Sequence, residues 1–68
     1  MREVATREGA IRLGQFLKLA DLVAAGSDAK AMLAEGVVTV NGEPEARRGR
    51  QLVRGDIVAV DGRELRVG

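Results

Sequence analysis

Across residues 15–36 of this chain apolar residues recur about every 3.6 positions, and from Val37 the period changes to two. Residues 15–25 carry Phe16, Leu19, Ala20 and Val23 at i, i+3, i+4 and i+7, a single apolar stripe that predicts a helix. Gly26 follows as its expected C-cap. Ser27 is expected to cap a second helix, because its hydroxyl can accept the free N–H groups of the first turn. Asp28 adds negative charge at the positive end of that helix's dipole. Ala29, Met32 and Leu33 form the second buried stripe, and Gly36 ends the helix. Ahead of both, Gly9-Ala-Ile-Arg-Leu13 alternates and predicts a short strand.

Val38 and Val40 alternate with Val37 and Thr39, and Asn41-Gly42 then supplies the two positive-φ residues of a type I′ turn. Pro44 removes a ladder donor, so the return strand belongs at a sheet edge. Residues 47–51 read as an exposed loop, and Leu52-Val53 leads into a turn at Gly55-Asp56. Residues 57–60 form a strand, Asp61-Gly62 a second tight hairpin, and residues 64–67 the returning strand. The order of a small strand, two packed helices and then three or four antiparallel strands predicts an α+β domain. Residues 9–68 are read as one domain, and residues 1–8 as a flexible N-terminal extension.

Composition narrows the chemistry. The chain has no His, Cys, Trp or Tyr, which removes the usual general base, nucleophilic thiol and zinc ligands, so an enzyme is not expected. Asp28, Asp56 and Asp61 each have a cap or turn role, and no carboxylate pair is spaced to build a metal or acid–base site, so no cofactor is expected. Residues 1–8 mix charges and lack the apolar run of a signal peptide, and no segment approaches the roughly 20 apolar residues of a membrane span. A cytoplasmic monomer is the expectation.

Net charge is only +1, but it is unevenly spread. Residues 1–46 hold five basic and seven acidic side chains, residues 47–68 six basic and three acidic. A polyanion responds to the local field, and Arg47, Arg48 and Arg50 concentrate it in one loop. Arginine's planar fork matches a phosphate edge. Glu43 and Glu45 are the nearby acids, too few to neutralise all three arginines, although pairing of one with Glu45 stays open. Lys18 and Lys30 lie off the apolar stripes of their helices, and Arg54 precedes the Gly55-Asp56 turn. Phe16, the sole aromatic, belongs to the apolar stripe, which leaves no platform for stacking single-stranded bases.

The ordered set Leu13-Gly-Gln-Phe-Leu-Lys-Leu19, Gly26-x-x-Ala-Lys30, Val40-Asn-Gly-Glu-Pro-Glu45, Arg47-Arg-Gly-Arg50 and Gly55-Asp56 resembles the S4-type RNA-binding domain, and within it the stand-alone YaaA/YbcJ-type subfamily. The general domain usually opens its first helix with Arg-Leu-Asp, where this chain has Ile11-Arg-Leu-Gly14, and has an arginine where Gly26 stands. Its Pro-Ser turn is replaced by Arg47-Arg48-Gly49-Arg50, changes the subfamily shares. The resemblance implies an RNA-binding fold, a structured ribosomal RNA as partner, Lys30 after Ala29 as a basic contact, and the arginine run as the basic loop. Lys18, Lys30, Arg47, Arg48, Arg50 and Arg54 are the expected RNA-binding residues, read by shape and backbone and with no small-molecule substrate. Six phosphate contacts would give a log–log salt slope of up to about −4 to −5. The competing expectation is a protein-interaction module that docks an acidic partner through the basic loop or the edge strand near Pro44.

Overall fold

Two helices and seven short strands follow in the order β1 (Arg2–Val4), β2 (Ala10–Arg12), α1 (Leu13–Leu19), α2 (Gly26–Ala34), β3 (Val38–Val40), β4 (Glu43–Pro44), β5 (Gln51–Val53), β6 (Ile57–Val60) and β7 (Arg63–Val67). This computed structural model describes residues 1–68. Five strands form a mixed sheet in the order β1-β7-β6-β3-β4, and β2 pairs antiparallel with β5 in a separate two-stranded sheet. The architecture is the expected α+β.

Alternation along β3, β6 and β7 sends one set of side chains inward. Val40 stands opposite Val58, Val58 opposite Leu65, and Val38 opposite Val60, so the valines and the leucine line one face. They join Phe16, Leu17, Ala29, Leu33 and Leu52 in one core of 14 buried residues. Asn41 and Asp61 take φ of 52° and 51°, each followed by a positive-φ glycine, as type I′ turns require. Asn41 does more than turn the chain: its Oδ1 accepts from Ile57 N at 2.9 Å, and its Nδ2 donates to Asp56 at 3.1 Å. Pro44 lies in β4 at the sheet edge, where its missing donor costs no ladder bond.

Three expectations are corrected. Residues 1–8 are not an extension outside the fold: β1 pairs parallel with β7, Val4 is buried, and Arg2 Nη1 donates to the Ala20 carbonyl at 3.0 Å. The first helix is seven residues long instead of eleven, and its stripe is Leu13, Phe16, Leu17 and Ala20, with Leu19 49% exposed. It stops through Asp21, which takes φ 63° while its N–H bonds Lys18 O and the Leu22 N–H reaches back to Leu17 O, each at 3.0 Å. That is a Schellman ending with aspartate in the left-handed position. The early stop moves everything after it. Gly26 therefore begins α2 instead of ending α1, Ala25 is the N-cap, and Ser27 makes no capping bond. No helix is long and apolar enough to cross a membrane.

Candidate functional site

The arginine loop is organised by a carboxylate. Glu45 follows the edge strand β4, its backbone N–H still bonded to Val38 O at 3.1 Å, and its side chain is only 8% exposed. Oε2 accepts from Ala46 N, Arg47 N and Arg47 Nε, each at 3.1 Å. Oε1 accepts from Arg47 Nη2 at 3.1 Å and from Arg50 Nη1 at 2.9 Å. The Arg47 side chain foremost, then Arg50 and the Arg47 backbone N–H, hold the Glu45 carboxyl far below its ordinary 4.5, at about 2. The same pairing pushes Arg47 up. Two of the three loop arginines thus share one acid, where the sequence left room for one such pair.

Arg48 is different. It has no ion pair, and its backbone carbonyl accepts from Gly14 N at 3.0 Å, while Arg50 O accepts from Leu13 N at 2.8 Å. The loop's carbonyls therefore satisfy the first N–H groups of α1, which lack partners within the helix. The stem of Arg48 lies over Gly14, where an added Cβ would stand 3.5 Å from Arg48 Cβ. Its Nη1 reaches toward α2, 4.0 Å from the place a Cβ would occupy on Gly26. Arg48 thus bridges the starts of the two helices.

Beneath it lies a cleft of about 240 Å³, lined by Arg12, Lys18 and Arg48, by Gly14, Gly26 and Gly49, and by Gln15 and Ala29. No acidic residue lines it, so every charged side chain that lines it is a cation. A second groove, of about 290 Å³, sits among Leu22, Met32, Val37 and Val60 and carries both signs of charge through Glu35, Asp61 and Arg63.

Of the six expected site residues, the structure brings Lys18 and Arg48 into the cleft and sets Arg47 and Arg50 on the same loop, held by Glu45. Lys30 is exposed on α2 directly after the cleft residue Ala29, without lining the cleft itself. Arg54 lies beyond the far end of β5, its guanidinium packed 3.0 Å from the place a Cβ would take on Gly9. Arg12 is the residue missed. It sits opposite Gln51 in the β2–β5 pair, which delivers it to the end of the loop 39 residues on, and no local signal marks that pairing.

Comparison with known proteins gives a consistent picture. The family model described as "S4 domain" matches residues 4–68. A Bacillus subtilis (strain 168) protein described as "Probable ribosome maturation protein RlbA" is 56% identical over 52 residues, covering 76% of this chain and 73% of that protein. In structure, the 30S ribosomal protein S4e from Thermoplasma acidophilum superposes with a TM-score of 0.62 over 85% of this chain, at 21% identity. This chain spans 31% of that one, and the likeness is one of fold.

Proposed function

The chain belongs to the S4 domain family, and from that premise we propose that it binds structured RNA, either ribosomal RNA or a ribosome-assembly intermediate. One observation carries this function: Arg12, Lys18 and Arg48 converge on a glycine-lined cleft with no acid in it. Glycines let a sugar–phosphate backbone approach closely, and the three cations then meet its phosphates. The 56% identical relative, whose description names ribosome maturation, supports the ribosomal setting. Arg47, Arg50 and Lys30 would flank the contact, and Arg54 would lie at its margin. Phe16 is fully buried, so recognition runs through backbone and shape, not through base stacking. The action proposed is binding by a cytoplasmic monomer, not catalysis.

The test is binding of a labelled structured ribosomal RNA fragment across a salt series, with the wild-type chain beside Arg48→Glu and Lys18→Glu. Both residues are exposed, so each variant should melt as the wild type does. Loss of a charge-assisted contact worth roughly 1.5–3 kcal/mol weakens binding about tenfold or more. Reversing all three loop arginines would be a poorer test, because it also dismantles the Glu45 pairing. Absence of binding at low salt would instead favour an acidic protein partner.

A further inference from the structure

We infer that Glu45 is the positioning residue of the RNA contact, an acid inside a basic loop that raises affinity for a polyanion by fixing where Arg48 points. The inference rests on the RNA-binding reading above. A nearly buried carboxylate must have its lone pairs met, and Glu45 meets them with five bonds drawn from its own loop: two backbone N–H groups and three guanidinium N–H groups. Those bonds tie residues 46, 47 and 50 to the end of β4 and leave the intervening Arg48 as the loop arginine with no ion pair. The loop so closed presents the carbonyls of Arg48 and Arg50 to the Gly14 and Leu13 N–H groups, which seats Arg48 over the cleft. The chain of contacts runs from edge strand to Glu45, from Glu45 to loop, and from loop to helix and cleft.

This gives an expectation opposite to that of charge alone. Glu45→Gln raises the net charge from +1 to +2, so a simple field argument calls for tighter RNA binding. Positioning calls for binding about tenfold weaker to the same ribosomal RNA fragment, since a charge-assisted contact is misplaced. It also calls for a log–log salt slope shallower by about 0.7–0.9, one phosphate contact fewer. On an Arg48→Ala background the same change should cost almost nothing further, because its effect passes through Arg48. Glu45→Asp keeps the charge but shortens the reach, so its loss of affinity is purely geometric. A readout independent of RNA is amide hydrogen exchange, which should speed up at Leu13 and Gly14 in Glu45→Gln. Tighter binding with a steeper slope, or an equal loss on the Arg48→Ala background, would overturn the inference. Wild-type protein that binds no RNA would overturn the function beneath it, and unchanged exchange at Leu13 and Gly14 would overturn the positioning alone.

Discussion

Among the cationic side chains, neighbourhood decides more than type. Arg47 and Arg48 are adjacent and both exposed, yet one shares Glu45 with Arg50 and the other stands unpaired over a cleft. Arg54 resembles them in sequence, but it lies against Gly9 outside that cleft. Arg54→Glu should therefore weaken RNA binding several-fold less than Arg48→Glu in a side-by-side titration, and equal losses would mean a footprint wider than the cleft. Glu45 adds a pH dependence with a definite sign. Its carboxyl is lowered from 4.5 to about 2 in the folded chain, so the stability it contributes is complete above about 4.5 and is lost as pH falls toward 2. Urea melts of wild type and Glu45→Gln should differ by a constant amount from pH 8 to 5 and converge between about 4.5 and 2. A difference that persists at pH 2 would mean that the arginines do not hold the carboxylate.

At the level of elements, what was legible is what local chemistry decides. Asn41-Gly42 and Asp61-Gly62 announce their turns because both residues of each pair tolerate positive φ, and Pro44 announces an edge because it lacks a donor. The end of α1 was not legible, since Gly26 looks like a stop and Asp21 does not. The signal was weak but physical: aspartate is among the few residues with a side chain that enter the left-handed region readily. Asp21→Val places a β-branched residue at φ 63° and should cost roughly 1–2 kcal/mol, read from the denaturant midpoint. An unchanged midpoint would mean that the helix ends elsewhere. β1 was hidden for another reason. Arg-Glu-Val offers one apolar residue and no period, and its partner β7 lies some sixty residues away, joined across the pair by Glu3 and Arg66 at 2.7 Å.

For the molecule as a whole, the near-neutral total conceals a division of labour between two grooves. One carries three cations and no acid, the other two acids and one cation, and they share no lining residue. The basic loop was plain in the sequence, but the cleft was not, because it arises where Arg12 from β2, Lys18 from α1 and Arg48 from the loop meet. That meeting changes a number. Six independent phosphate contacts would give a salt slope of about −4 to −5, but Arg47 and Arg50 already hold Glu45. Three unpaired cations in the cleft give about −2 to −3 at roughly 0.7–0.9 per contact. A titration of a structured RNA fragment from low to moderate salt separates the two. A slope near −2.5 means that the loop keeps its ion pairs while RNA is bound. A slope of −4 or steeper means that phosphates pull Arg47 and Arg50 away from Glu45, and that the loop is remade on binding instead of being built in advance.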